Sequence, residues 1–271
     1  YKQSQLQFYC TYIEKRVPDT DTIKIYGQAG TIVHECMEKY FDGASLEEQK
    51  KYFEKQWKEK GLDTKCGLNG KPLNKETYWN AVRYGNVVMQ RDYEIISSEE
   101  LIQFPLIDSE EAKINIKGYI DVVCKDKNGN IIILDYKTSS KIGDFKQQAL
   151  HYAHSYYKKH GIMPRKAVFE YVKIQKRKEF TFEPLEFVEY DKYLKQLANE
   201  IIGKGWDVNN YELGDYDNIF NEHLQFCKQV EKNRKENDII TVTIDKGKLL
   251  LDDKILAKKY ESLKKRLQRK Y

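Results

Sequence analysis

Residues 118–138 read GYIDVVCKDKNGNIIILDYKT and are the most informative segment of the chain for its fold. Two runs rich in β-branched residues flank an Asn-Gly pair, which favours the tight turn of a β-hairpin. Asp121 interrupts the first run. Asp135 and Lys137 lie in the second, two residues apart and therefore on one face of a strand. The stretch predicts a hairpin whose apolar strands carry three charged side chains.

The segments around this hairpin complete a mixed sheet with flanking helices. Apolar residues at helical spacing predict helices at 30–41, 46–60, 73–96, 144–160, 188–202 and 216–232. Strands are predicted at 101–107, 114–124, 131–138, 167–175 and 179–182, and a short hairpin at 241–251. This order of helices, three strands, a helix and a further strand indicates an α/β fold.

The composition is that of a globular protein. The 271 residues are 40% hydrophobic and 33% charged, and they include 21 Tyr and 11 Phe. No stretch approaches the ~20 apolar residues of a membrane span, and the start lacks the apolar run of a signal peptide. We therefore expect a soluble, cytoplasmic protein with no membrane partner. The five scattered cysteines form no C-x-x-C pair, which predicts reduced structural thiols.

Basic residues are concentrated near the end of the chain. The net charge is +5, and residues 258–271 contain seven basic residues and one acidic residue. This segment has two interpretations: an amphipathic helix packed on the body, or a helix that contacts phosphates. A second basic group could border a DNA channel or belong to a solvated strand end; it consists of Arg165, Lys166, Lys173, Lys176, Arg177 and Lys178.

The three charged side chains of the hairpin suggest phosphodiester chemistry. Two carboxylates ~4 Å apart repel by about 4 kcal/mol at an effective dielectric near 20, and a bound divalent cation removes this conflict. Carboxylate oxygens suit Mg²⁺ or Mn²⁺. Lys137 beside such an ion could orient or help deprotonate the attacking water and stabilise the transition state. The alternative is a solvent-facing sheet with an ordinary cross-strand ion pair.

The ordered motifs resemble those of the PD-(D/E)XK nuclease superfamily, in particular the nuclease domains of RecB and of RecB-like CRISPR-associated enzymes. GYIDVV, LDYKT and QQALHYA are similar to that group's G-x-[IL]-D, [LI]-D-Y-K and Q-x-x-x-Y elements, in the same order. The resemblance implies a restriction-endonuclease-like mixed central sheet flanked by helices. It implies a core at residues 1–185 with a helical insertion at about 43–98, and a mainly helical extension at 186–271.

The resemblance also implies roles for individual residues. Asp121, Asp135 and Lys137 would be catalytic, and the metal ligands would be His34, Asp121, Asp135 and the backbone carbonyl of Tyr136. Without the resemblance, His34 reads as an ordinary structural residue of a helix. Gln148 and Tyr152 would contact DNA near the scissile phosphate, with Gln147 as the rival register. Cys10 could correspond to an iron–sulfur ligand, but the C-terminal region offers only Cys227, so we predict no cluster.

The expected function is therefore that of a metal-dependent deoxyribonuclease. We expect an exonuclease or end-processing enzyme of recombination, repair or phage DNA metabolism. An endonuclease is the first alternative, and a catalytically silent DNA-binding subunit of a recombination complex is the second. The chemistry would also permit RNA as substrate. Helicase or single-strand-binding partners would fit such a role, although no residue identifies them.

Overall fold

The computed structural model describes residues 4–18, 24–67, 70–108, 113–205, 207–214, 223–238, 242–245 and 248–251. The chain divides into two compact units, one spanning residues 21–205 and the other composed of residues 1–20 and 206–271. The larger unit contains the side chains that the sequence places in a catalytic site. None of the described helices is long and apolar enough to cross a membrane.

Three helices precede the sheet in the larger unit: α2 (Lys24–Phe41), α3 (Leu46–Glu59) and α4 (Lys75–Asp92). A capping box begins α3, in which the Ser45 hydroxyl accepts a hydrogen bond from the Glu48 N–H and the Glu48 carboxylate accepts one from the Ser45 N–H. These reciprocal bonds satisfy N–H groups that a helix start leaves without partners. The predicted helical character of the first third of the chain is confirmed.

The central sheet has five strands in the order β1-β2-β3-β4-β5. They are β1 (Glu94–Asp108), β2 (Lys113–Lys125), β3 (Ile131–Lys137), β4 (Lys166–Tyr171) and β5 (Lys176–Thr181). Neighbouring strands are antiparallel, except that β3 and β4 are parallel. The β2–β3 hairpin turns at Gly129, whose φ of +79° requires the conformational freedom of glycine. The predicted α/β fold with a restriction-endonuclease-like mixed sheet is confirmed.

Helix α5 (Lys146–His160) supplies the crossover that the parallel pair β3–β4 requires, and α6 (Pro184–Lys204) follows the last strand of this sheet. The strand predicted at 167–175 ends at Tyr171, since residues 172–175 form the turn that leads into β5. Gln175 in this turn has a φ of +54°, which is incompatible with an extended strand.

Side chains on the two faces of the sheet form separate cores. Val122 and Leu134 pack with Phe53 and Trp57 beneath the three N-terminal helices. Full burial of an aromatic side chain such as Phe53 contributes about 1.5–3 kcal/mol. Ile133 and Phe169 belong to the other core, which α5 and α6 cover. The two cores fix α2 on one face of the sheet and α5 on the other. A site at the carboxyl end of β3 can therefore receive side chains from both helices.

In the smaller unit, the short helix α1 (Gln5–Phe8) continues into a π-helical turn, and α7 spans Leu224–Asp238. Leu6 packs against Cys227 and Val230. The predicted C-terminal hairpin is present as β6 (Val242–Asp245) and β7 (Lys248–Leu251). The basic segment 258–271 and the first part of the predicted helix 216–232 lie outside the described residues. The division predicted at residues 185 and 186 stays a prediction.

Candidate active site

Asp135 and Lys137 project from the same face of β3, as their spacing predicts. Lys137 Nζ lies 2.8 Å from Asp135 Oδ2, and the Asp135 side chain is only 5% exposed. Lys137 Nζ also lies 4.7 Å above the centre of the Phe169 ring. A charged pair enclosed by aromatic side chains differs from the solvent-facing pair of the alternative interpretation, because little water is available to screen it.

Asp121 lies at the point where β2 and β3 separate. The paired register of these strands ends at Val122 and Leu134. Beyond it, Asp121 Oδ2 accepts a hydrogen bond of 2.8 Å from the Tyr136 N–H. The Asp121 carboxylate thus replaces the backbone acceptor that a continued β-ladder would provide, and this bond fixes the carboxylate beside the carboxyl end of β3.

His34 reaches the same point from α2. His34 Nδ1 lies 3.3 Å from Asp121 Oδ2, and its ring meets the Tyr136 ring edge-on at a centroid distance of 5.9 Å. Helix α2 approaches β3 closely because residue 30 is glycine: a β-carbon there would lie 2.9 Å from Thr138 Oγ1. His34 follows Gly30 by about one helical turn, so this contact positions the imidazole.

Glu99, which no sequence pattern predicts, completes the cluster. Its carboxylate and the side-chain ligand atoms of His34 and Asp121 all lie within 4.8 Å of one another. Glu99 is a strand residue of β1 with a φ of +46°, a conformation rare for side chains other than glycine and asparagine. In the sequence it stands in the polar run SSEE, which looks like an ordinary solvated strand edge.

The crowding of acidic groups changes their protonation. Burial and the nearby Asp121 carboxylate raise the pKa of Asp135 above its ordinary value, although Lys137 opposes this shift. Burial and Asp121 also raise the pKa of Glu99. Burial alone would lower the pKa of His34, but the Asp121 and Asp135 carboxylates outweigh it and raise that pKa to about 9. Each shift has the sign that an additional cation would relieve.

A cavity of about 600 Å³ opens beside these residues, and its walls include His34, Glu99, Asp121 and Thr138. Carboxylate oxygens and one imidazole nitrogen are a donor set that Mg²⁺ or Mn²⁺ accepts. The residues present therefore fit a divalent cation. Asp135 does not belong to this group of three ligand residues; its Oδ2 lies 2.8 Å from Lys137 Nζ. The Tyr136 carbonyl stays a predicted ligand.

Gln148 and Tyr152 extend the site on the face of the sheet that α5 covers, toward which Lys137 also projects. Lys137 Nζ donates a hydrogen bond of 3.0 Å to Gln148 Oε1, and Gln148 Nε2 donates one of 2.8 Å to the Tyr152 hydroxyl. Gln147, the rival register, donates to the Tyr193 hydroxyl on α6 instead. The geometry therefore brings Gln148, and not Gln147, to the active-site lysine.

Some of the secondary basic residues have partners within the larger unit. Lys166 Nζ lies 2.7 Å from Glu179 Oε2, and Arg177 pairs with the buried carboxylate of Glu170. Lys178 Nζ donates to the Gly143 carbonyl at 3.1 Å. Lys173 Nζ lies 4.4 Å above the Tyr78 ring. These contacts favour a structural role for the four residues over a role as a free phosphate-binding surface.

Comparison with known proteins adds one match. The family model of the PD-(D/E)XK nuclease superfamily matches residues 1–229, which is most of the chain. No curated protein matches the chain at the threshold applied. The matched segment includes all the site residues described above, from His34 on α2 to Tyr152 on α5.

Proposed function

The chain belongs to the PD-(D/E)XK nuclease superfamily, and from that premise we propose that it is a Mg²⁺- or Mn²⁺-dependent deoxyribonuclease. Membership makes the chain a metal-dependent nuclease. The choice of DNA, the identity of the metal and the action from DNA ends are our proposals. We also propose a role in recombination, repair or phage DNA metabolism.

The observation that carries the proposal is the convergence of Asp121, Asp135, Lys137 and His34 from three separate elements. Hydrogen bonds and close contacts hold these side chains beside the carboxyl end of β3, an inner strand of the sheet. Placing several carboxylates together without need would destabilise the fold, since like charges repel strongly in a poorly solvated site. The cluster is therefore better explained by a ligand that compensates its charge than by the requirements of folding.

His34, Glu99 and Asp121 would hold the cation, with Asp135 and the Tyr136 carbonyl as further ligands. When bound, a divalent cation polarises the scissile phosphate. A proton competes with the cation for the His34 ring nitrogen that faces Asp121, because the pKa of His34 in the metal-free protein is raised to about 9. Loss of this proton exposes an imidazole lone pair toward the Asp121 carboxylate and makes His34 a suitable ligand.

Lys137 would supply a positive charge that stabilises the transition state. Its ammonium group is held by Asp135 on one side and Gln148 on the other, so the charge needs little reorganisation when a phosphate arrives. In this position it can orient the attacking water and neutralise charge that develops on the phosphate oxygens. Gln148 and Tyr152 continue the line of polar groups along α5 and would contact the DNA backbone near the scissile phosphate.

Exonuclease action is tested by comparing DNA forms. Linear DNA labelled at one end, and the same DNA as a covalently closed circle, are incubated with Mg²⁺ or Mn²⁺. Our proposal predicts loss of the linear form while the circle persists. Cleavage of both forms at comparable rates would instead identify an endonuclease. Binding of both forms without any cleavage would identify a silent DNA-binding subunit.

A further inference from the structure

A second cavity, of about 860 Å³, shares no lining residue with the cavity at His34 and Asp121 and lies between the end of α2, the start of α3 and the face of α4. Its walls are rich in amide side chains: Gln49, Asn80, Asn86, Gln90 and Gln175. Arg83 is the one charged residue among the residues that line it. Neutral groups that both donate and accept hydrogen bonds, beside a single cation, suit a polar ligand with one anionic group.

Two of these amides form a relay that fixes their orientation. Gln49 Nε2 donates a hydrogen bond of 3.0 Å to the Ala44 carbonyl. Gln49 Oε1 must therefore face the other way, and it accepts a bond of 2.8 Å from Asn86 Nδ2. Since a carbonyl can only accept, the Ala44 end determines which atom each amide presents, and Asn86 is left with its oxygen unused by the relay.

The unused atom is Asn86 Oδ1. It is buried and has no hydrogen-bond donor within the part of the chain that the structure describes. The Asn86 residue as a whole is only 7% exposed, and Gln49 is 1% exposed. A buried acceptor without a donor is unfavourable, and a small rotation of the Asn86 side chain, which lines the cavity, would bring this oxygen to a donor on a molecule bound there.

The ligand that matches these features is a nucleobase with its phosphate. Every base carries an N–H or exocyclic amino group that can donate to Asn86 Oδ1, and the remaining amides can pair with other atoms on the base edge. Tyr40 and Tyr84 also line the cavity and provide aromatic rings of the type on which bases stack. Arg83 is exposed at the surface, where a phosphate would lie.

We propose that this cavity binds one unpaired base of the DNA strand that the active site cleaves. The inference rests on the proposed function. Helix α2 borders both sites: Tyr40 lies six residues beyond His34, which is about 9 Å along the helix axis and about 120° around it. A single strand of a few nucleotides that follows the surface of the helix would join the two sites. A base held in the cavity would require a locally unpaired strand, so the enzyme would prefer single-stranded or frayed DNA ends.

The test measures binding without cleavage. A short fluorescein-labelled single-stranded oligonucleotide is titrated with the full chain in EDTA, and its anisotropy is recorded. Asn86→Leu removes the buried acceptor, and Arg83→Met removes the exposed cation with little risk to folding. Gln56→Leu on α3 is the matched amide control, since Gln56 is not among the cavity residues. We expect each cavity variant to bind about tenfold more weakly, equivalent to about 1.4 kcal/mol, and the control to bind like the unaltered protein.

Unchanged binding by both cavity variants would overturn the inference. Tight binding of free deoxynucleoside monophosphates, combined with oligonucleotide binding that does not depend on Asn86, would also overturn it, because the cavity would then serve a free nucleotide. The nuclease proposal is judged separately, by cleavage with metal. A protein that cleaves no DNA but binds the strand through Asn86 would retain the cavity and lose the nuclease proposal. A protein that cleaves DNA with metal, but binds the strand equally well without Asn86 and Arg83, would retain the nuclease proposal and lose the cavity proposal.

Discussion

Helix α2 and the end of β3 approach each other closely at Gly30 and Thr138. A β-carbon at residue 30 would lie 2.9 Å from Thr138 Oγ1, closer than a side-chain carbon normally comes to an oxygen. The imidazole of His34, about one turn further along the helix, lies 3.3 Å from Asp121. The packing of a residue without chemistry of its own therefore positions a proposed metal ligand.

Gly30→Ala should push α2 away from β3 and weaken metal binding through His34. We expect a loss of about 1–3 kcal/mol in the free energy of unfolding, typical of overpacking, together with a lower affinity for Mn²⁺. Thr138→Ala in the same chain should restore much of both, because it removes the atom that clashes. Gly27→Ala is the matched control, since a β-carbon there meets no atom within 4 Å. Thermal unfolding and calorimetric metal titration measure the two effects, and equal behaviour of the two alanine variants would contradict the role of the contact.

His34→Asn and Glu99→Gln should each weaken binding of Mg²⁺ or Mn²⁺, because the first replaces the imidazole by a shorter amide and the second removes the negative charge of a carboxylate. We expect a loss of about tenfold or more in metal affinity, within the range known for altered metal sites. Glu35→Gln is the control, since Glu35 lines the same cavity but accepts a hydrogen bond from the Tyr52 hydroxyl. Titration calorimetry on the protein without DNA provides the measurement. If Glu35→Gln weakened binding as much as Glu99→Gln, Glu99 would lose its proposed role.

Gln148→Leu should lower the rate of cleavage while leaving the fold intact. Lys137 would keep its contact with Asp135 but lose the acceptor on α5, so its ammonium group would be less well oriented. We expect kcat to fall about tenfold to a hundredfold, less than the roughly hundredfold to thousandfold loss when such a group is removed outright, because Lys137 itself remains. Gln147→Leu, which removes only the bond to Tyr193, should retain the normal kcat. Steady-state kinetics on a labelled oligonucleotide distinguishes the two variants, and an equal effect of both would assign Gln148 to packing.

The buried His154 should make stability depend on pH. It is 1% exposed among the rings of Phe104, Phe187 and Tyr190, and burial lowers its pKa to about 4. The unfolded chain takes up this proton near pH 6.5, so acidification from pH 6.5 to 4 favours unfolding, by about 1–3 kcal/mol from this residue. His154→Gln cannot be protonated and should lose less stability over that interval. Parallel stability curves for the two proteins, measured by urea unfolding, would contradict this assignment.

Several parts of the site are predictable from local patterns in the sequence. The Asn-Gly turn predicted the β2–β3 hairpin, and the spacing of Asp135 and Lys137 predicted that they share a face. Gln148 and Tyr152 came from the resemblance to the Q-x-x-x-Y element, which left Gln147 as the rival register. In each case the relevant residues are close in the chain, so the geometry of one strand or helix determines their arrangement.

Other features depend on contacts between distant segments, which local patterns do not reveal. Glu99 reaches Asp121 because β1 pairs with β2 in a particular register and adopts a positive φ at that residue. The Gln49–Asn86 bond joins residues on two helices. In the sequence, the segments around Glu99, Gln49 and Asn86 look like ordinary surface segments. The register of Gln148 against Gln147 likewise became evident only from their different partners on the sheet and on α6.

The proposed active site is tested by cleavage of linear and closed circular DNA with Mg²⁺, Mn²⁺ or EDTA, by the unaltered protein and by Asp135→Asn and Lys137→Met. Asp144→Asn and Lys146→Met are controls of the same chemistry; Asp144 is 88% exposed and Lys146 pairs with Glu186 on the surface of α5 and α6. We predict metal-dependent loss of linear DNA by the unaltered protein and by both controls. The cleavage rate should fall by at least about a hundredfold in both active-site variants. All four variants should fold normally. Full cleavage by either active-site variant, or cleavage in EDTA, would contradict the assignment of this site.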